Sequence, residues 1–279
     1  MKRLTFAKFS GAGNDFVIIN NIERRIPARL YVQYARILCQ RRLSIGADGL
    51  LIIEPSTKSS CDFRMVYYNA DGSRAAMCGN GARCIAMRAW ELELCEDIAR
   101  FETDTGIVTC EIKRGGRVKL KLPEPRDLRT DMLLTVGGTV YQVHCIITGV
   151  PHAVVFVDDL EKVDVVGLGR ELRHHKAFAP DGANVNFVSV RNRSSLLVRT
   201  YERGVEDETL ACGTGCTASA VIAAVREMVR PPVECITRGG ESLHISFVLN
   251  DPDDMLSPVS QLHLEGRVQH TFDGEIAMP

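Results

Sequence analysis

A chain of 279 residues with 45% hydrophobic and 25% charged side chains has the composition of an ordinary globular protein able to bury a core. Its formal net charge of −1 gives no electrostatic footing for nucleic acid or an anionic membrane surface as partner. No apolar run approaches the ~20 residues of a membrane span, and the opening MKRLTFAKFSGAGNDF lacks the apolar stretch of a secretory signal, so a cytoplasmic location is expected.

In chain order, VIIN (17–20), PARLYVQYARILCQ (27–40), LLII (50–53) and FRMVYY (63–68) set out strand, helix, strand, strand. The helix is read from Leu30, Tyr34, Ile37 and Leu38 at helical spacing, with Pro27 near its start. ARCIAMRAWELEL (82–94) is a second helix, and IVTCEI (107–112) with RVKLKL (117–122) forms a hairpin turning on Arg-Gly-Gly. LPEPRD (122–127) is the best linker candidate. Helices follow over VVGLGRELRHH (165–175) and CTASAVIAAVREMV (216–229). The last is apolar nearly all round, which predicts a buried central helix, and Pro231 and Pro232 are expected to stop it. LNDPDDMLSP (249–258) reads as an exposed loop and QLHLEGRVQHTF (261–272) as a final strand.

The chain repeats itself. MCGNGARC (77–84) and ACGTGCTA (211–218) place Cys78 and Cys212 134 residues apart. At the same offset FRMVYYN meets LLVRTYER, aligning Tyr67 with Tyr201, and TDTGIVTCEI meets TRGGESLHIS. GADGLLII resembles GANVNFVSV at offset 136, and GAGNDFVII matches GVPHAVVFV at 138. Ordered similarity with small drift is what a duplicated unit with altered loops produces. The expected fold class is α/β of the α+β type, in two pseudo-symmetric duplicated domains. Each is a mixed or antiparallel sheet wrapped around a central helix, with the site in the cleft between them. The expected boundaries are 1–122 plus 266–279, and 123–265.

Ten cysteines without a C-x-x-C pair give poor support for zinc, and a reducing compartment argues against a disulfide framework. Most therefore read as small buried hydrophobes. Cys78 and Cys212 differ because each precedes a glycine-rich helix start. Such a start offers unpaired N–H groups to a carboxylate or phosphate and favours a thiolate. Neither stretch continues as a phosphate loop. Either copy alone would read as a tight helix start with a structural cysteine. Two equivalent copies read instead as a thiolate and a thiol on opposite faces of one substrate carbon, which needs neither metal nor organic cofactor.

FAKFSGAGNDFVIIN, GADGLLIIEP, YYNADGSRAAMCGNGARC, TGVPHAV, NVNFV and YERGVEDETLACGTG together resemble the diaminopimelate epimerase family over essentially the whole chain. The resemblance implies cofactor-independent interconversion of LL- and meso-2,6-diaminopimelate, in lysine and peptidoglycan synthesis, by a homodimeric enzyme with a small-molecule substrate. It implies Cys78 and Cys212 as the catalytic bases, with His152 and Glu202 modulating their proton affinity. Gly79–Asn80 and Gly213–Thr214 would hold the reacting carboxylate. Asn14, Asn69, Asn184, Glu202 and Arg203 would bind substrate, Arg203 suiting the distal carboxylate. Two positions depart from many family members, which carry Asn at Val150 and Gln at the substrate-binding position Gly49. The rival readings are a related two-cysteine racemase or isomerase of the proline-racemase kind, a non-catalytic anion-binding module, and a thiol redox protein. Proline racemases usually carry histidine where this chain has Asn80.

Overall fold

The structure is a computed structural model and describes residues 2–251 and 258–278. It separates into two compact units, residues 1–120 with 266–279, and residues 121–265. In the first unit, β1 (Lys2–Gly11) pairs antiparallel with β2 (Asn14–Asn20), and β2 runs parallel to β3 (Gly49–Glu54). The parallel pair is joined through α1 (Tyr31–Leu38), as parallel neighbours require a long crossover. β3 pairs antiparallel with β4 (Phe63–Asn69), which pairs with the short β5 (Arg74–Ala75). A second crossover through α2 (Gly79–Glu91) leads to β6 (Ile98–Thr103), parallel to β4. The hairpin of β6 with β7 (Gly106–Lys113), and of β7 with β8 (Arg117–Lys121), closes the series.

The second unit repeats this order, pair for pair, after the leading strand β9 (Arg126–Val136). β10 (Thr139–Thr148) is antiparallel to β11 (Val150–Phe156), which is parallel to β12 (Asn184–Asn192) through α3 (Val165–Arg173). β12 is antiparallel to β13 (Ser195–Glu202), which carries the short β14 (Asp207–Thr209). From there α4 (Gly213–Val225) crosses to β15 (Val233–Thr237), parallel to β13 and followed by antiparallel β16 (Ser242–Leu249) and β17 (Val259–Arg267). β18 (Gln269–Met278) returns to the first unit, where Leu4 faces Ile276 across an antiparallel pair with β1. The mixed sheets around one central helix per unit are the duplicated α/β architecture expected from the repeat.

Each unit buries its second helix most deeply. Every residue of α4 from Gly215 to Ala224 is buried, in contact with β10, β11, β12, β13, β15 and β16. Small side chains let the strands close in, and the two central hydroxyls are satisfied by bonding back one turn, Thr217 to the Gly213 carbonyl and Ser219 to that of Gly215. Outer cores form under the first helices. Tyr34 and Leu38 of α1 reach the core of their unit with Tyr31 and Ala35, while Leu30 and Ile37 lie partly buried at its edge.

Several boundaries differ from the sequence reading. α2 and α4 each start three residues earlier than expected, at the glycine after the cysteine. α4 ends at Val225, six residues before Pro231, so the prolines do not stop it. It ends because Glu227 turns left-handed (φ 58°) and Met228 N–H bonds back to the Ala223 carbonyl. α2 ends the same way, with Glu93 at φ 57° and Leu94 N–H on the Ala89 carbonyl. QLHLEGRVQHTF is two strands, broken at Val268, whose N–H leaves the ladder for the Gly116 carbonyl. Leu122 of the expected linker is buried and bonded to the Leu262 carbonyl, and the segment runs directly into β9. The loop reading at 249–258 falls largely on residues 252–257, outside the described residues.

Candidate active site

Cys78 and Cys212 occupy the same structural position in the two units. Each is the last extended residue before a buried helix, Cys78 at φ −141°, ψ 124° and Cys212 at φ −123°, ψ 108°. Each carbonyl accepts the first helical bond, from Ala82 at 2.7 Å and Cys216 at 2.9 Å, and neither sulfur caps its helix. The N–H groups of Gly79–Asn80 and Gly213–Thr214 thus belong to the first turn, where a helix offers unpaired donors. A Cβ built on Gly79 would meet nothing closer than Leu120 at 3.5 Å. Internal packing therefore does not demand a glycine there, whereas close approach of a ligand would.

The two thiols sit differently. Cys78 is half-buried, whereas Cys212 is only 7% exposed. Burial, reinforced by the Glu202 carboxylate, pushes the Cys212 thiol up to about 12, against a smaller opposing effect of the Thr214 hydroxyl, 3.5 Å from its sulfur. At Cys212 burial outweighs the lowering that a helix start favours. The cost of an anion in an enclosed place exceeds what the neighbouring hydrogen-bond donors return. Cys212 rests as a thiol. Burial also raises the Glu202 carboxyl.

In the first unit, Asn14 and Asn80 belong to one row of hydrogen bonds. Asn14 Nδ2 donates to Asp48 Oδ2 at 3.0 Å, and Asn80 Nδ2 donates to Asn14 Oδ1 at 2.7 Å. Arg83 Nη2, on a side chain with no exposed surface, donates to Asn80 Oδ1 at 2.8 Å. At the other end Arg41 bridges Asp48 and Asp15, and the buried Lys8 ammonium bonds to Asp15 at 2.8 Å and to the Gly46 carbonyl. Burial raises the Asp15 carboxyl, but Arg41 and Lys8 together hold it below the usual range. The Asn80 side chain is committed inside this row, so its backbone is the part available to a carboxylate. Asn69 ends β4 opposite Gly49, and its amide donates to Ser73 within a turn. At Gly49 a Cβ would come within 2.5 Å of Tyr67 Cε2 and 2.8 Å of the Tyr68 carbonyl. The Tyr67 ring thus fills the space that a side chain at 49 would use.

In the second unit His152 and Asn184, neighbours across β11 and β12, cluster with Arg203. Asn184 Oδ1 accepts from the Arg203 N–H at 2.7 Å, and its Nδ2 lies 3.5 Å from His152 Nε2. Burial, and secondarily the Arg203 charge, push His152 down to about 3, so it is neutral. Glu202 closes β13 beside Arg203, and the Thr214 carbonyl is held by the Thr148 hydroxyl at 3.0 Å. Val150 opens β11 opposite Thr148 and presents no amide. Asp48, Arg83, Asn186 and Tyr67 lie within the motifs of the sequence, which assign them no role of their own. The offset of 136 that aligns Asp48 with Asn184 was the available signal for the first.

The family profile described as Diaminopimelate epimerase matches residues 6–126 and 144–252. A protein named Diaminopimelate epimerase from Aquifex aeolicus (strain VF5) is 40% identical over 98% of this chain and 98% of its own. One of the same name from Archaeoglobus fulgidus is 41% identical over 85% of this chain and 88% of its own. Among solved structures, a phenazine biosynthesis protein of the PhzF family from Bacillus anthracis has a TM-score of 0.72 at 14% identity, covering 100% of both chains. A hydroxyproline epimerase from Agrobacterium vitis has a TM-score of 0.69 at 15% identity, covering 99% of this chain and 93% of that one. These two show a shared fold. None of the helices among the described residues is long and apolar enough to cross a membrane. Matched by the profile in both halves, and by relatives along nearly their whole length, the chain belongs to the diaminopimelate epimerase family of isomerases.

Proposed function

We propose that the protein epimerises LL-2,6-diaminopimelate to the meso form, with Cys78 and Cys212 as the two acid–base groups on opposite faces of one α-carbon. The observation that carries this is the duplicated placement of a cysteine at the start of a buried, glycine-led helix, in a chain of this family. One sulfur, as thiolate, takes the α-proton, while the opposite thiol delivers a proton to the other face. Negative charge flows into the α-carboxylate between these steps. The N–H groups of Gly79–Asn80 and Gly213–Thr214 stabilise it there, where preorganised donors are most effective. Burial and Glu202 keep Cys212 protonated, which suits the proton donor. The return reaction exchanges the roles. Asn14, Asn69, Asn184, Glu202 and Arg203 are read as substrate ligands, and His152 as the group tuning Cys78. The protein is further read as a cytoplasmic homodimer working without metal or organic cofactor.

The test is exchange of the substrate α-proton for solvent deuterium, with diaminopimelate and proline compared. Exchange into diaminopimelate, lost in Cys78→Ala and in Cys212→Ala, is the expected result. Full epimerase activity in either variant refutes the two-base reading, and exchange into proline alone moves the protein to the racemase rival.

A further inference from the structure

The wall around His152 determines which of its nitrogens carries the proton. The side chain of Asn186, a buried residue of β12, lies against the ring, with its Nδ2 3.1 Å from His152 Nδ1. The same Nδ2 donates to the Ala153 carbonyl at 2.9 Å, and Oδ1 accepts from the Thr200 hydroxyl at 2.9 Å. A carbonyl oxygen can only accept, so the atom facing Ala153 must be the nitrogen, and the amide has one orientation. The group facing His152 Nδ1 is therefore a donor, and Nδ1 must be unprotonated.

Asn184 presents its Nδ2 to the other ring nitrogen, because its Oδ1 is taken by the Arg203 N–H. An imidazolium would set N–H against N–H on both sides. Geometry thus reaches the same neutral form that burial and Arg203 impose. Of the two contacts the one at Nδ1 is a well-formed bond at 3.1 Å, and the one at Nε2 is at the limit, 3.5 Å. The single proton belongs on Nε2, and Asn184 does not consume it.

The support reaches the catalytic loop. A Cβ on Gly215 would come within 2.2 Å of Asn186 Oδ1 and 3.2 Å of the Thr200 hydroxyl. The last glycine of Cys-Gly-Thr-Gly is thus the floor on which Asn186 rests. A Cβ on the corresponding Gly81 would meet nothing closer than Phe16 and Leu51, at 3.4 and 3.5 Å.

We propose that Asn186 is a positioning residue of this site: held by Ala153, Thr200 and Gly215, it fixes His152 as the Nε2–H tautomer, so that the imidazole serves a cysteine thiolate as hydrogen-bond donor and not as a base. This deepens, and rests on, the reading of His152 as the group that tunes Cys78. It also gives that tuning a sign. A donated N–H favours the thiolate, opposite to what burial and Glu202 do at Cys212.

The test is the nitrogen spectrum of the 15N-labelled full chain, with the His152 signals identified by their loss in His152→Gln. The expected result is a protonated Nε2 and an unprotonated Nδ1, unchanged across about pH 5 to 8, where an ordinary histidine titrates. A proton on Nδ1, or titration within that range, overturns the proposal, and the wild-type spectrum alone decides this. Asn186→Asp replaces the donor at Nδ1 with an acceptor. It is expected to move the proton to Nδ1 or charge the ring, and to lower kcat on the order of tenfold or more with a new limb in the pH profile. Unchanged tautomer and pH profile in that variant also overturn it. The deuterium-exchange test decides the epimerase reading separately, since the spectrum can be read whatever the substrate.

Discussion

The same substitution, made at equivalent glycines of the two loops, is expected to have very unequal consequences. In Gly215→Ala the new Cβ would lie 2.2 Å from Asn186 Oδ1, so that amide must retreat by about 1 Å to reach ordinary contact. The retreat breaks its bonds to the Ala153 carbonyl and to His152, at 2.9 and 3.1 Å, in a buried site. Stranding two buried polar groups costs ~3–5 kcal/mol, and the alanine's lower backbone entropy offsets ~0.5–1 of it. A net loss of ~2–4 kcal/mol corresponds to a fall in Tm of roughly 5–15 °C for a chain of this size. In Gly81→Ala the Cβ makes ordinary contacts with Phe16 and Leu51, and Tm should move by no more than ~2 °C in either direction. Differential scanning calorimetry of both variants, with the two units allowed to unfold separately, measures the contrast. Equal shifts in the two variants would refute the claim that one loop rests on an amide and the other on hydrocarbon.

Cys212 should react with iodoacetamide at a rate that keeps rising beyond pH 10, since its thiol is pushed up to about 12; a plateau below pH 9 would contradict this, and Glu202→Gln should shift the rise to lower pH. Burial raises Cys39, Cys110 and Cys212 alike from 9.0 to about 12, so the folded state keeps these protons where the unfolded chain loses them. Their contribution is neutral below pH 9 and turns destabilising above it, by up to ~1.4 kcal/mol per pH unit for each thiol, which urea titrations at rising pH would detect. Gly49→Gln should be poorly tolerated alone, because Tyr67 Cε2 and the Tyr68 carbonyl occupy the space; pairing it with Tyr67→Val removes the ring but not the carbonyl, and should recover only part of the lost Tm. If the two catalytic sulfurs address one carbon, aerobic storage should yield a Cys78–Cys212 disulfide detectable by mass spectrometry, and persistent free thiols at both positions would count against that arrangement.

The repeat was legible because strand positions and spacing survive duplication even when identities do not. Asn14 aligns with His152, and Asp48 with Asn184; Asn14 opens β2 and Asp48 immediately precedes its neighbour β3, as His152 faces Asn184 across β11 and β12. The place of the two cysteines at helix starts was legible from the glycines that follow them. What escaped were properties set by neighbours distant in sequence. No local pattern distinguishes the enclosed Cys212 from the half-buried Cys78, so the general rule for helix starts does not tell the two thiols apart. Asn186 reads like any polar residue in an alternating strand, and its role emerges only once Ala153, Thr200 and Gly215 surround it. The end of α4 escaped for another reason. Prolines forbid helix strongly enough to draw the eye, while a glutamate in the left-handed region gives no compositional signal.

The row from Asp48 through Asn14 and Asn80 to Arg83 begins at a group that can only accept and ends at one that can only donate. Both amides between them must point the same way, like compass needles between two fixed magnets. Neither can turn over without stranding its neighbour, so the row holds one arrangement out of the four its two amides would otherwise have. The polarity of the row is thereby written into its two charged ends, and the asparagines transmit a choice they do not make.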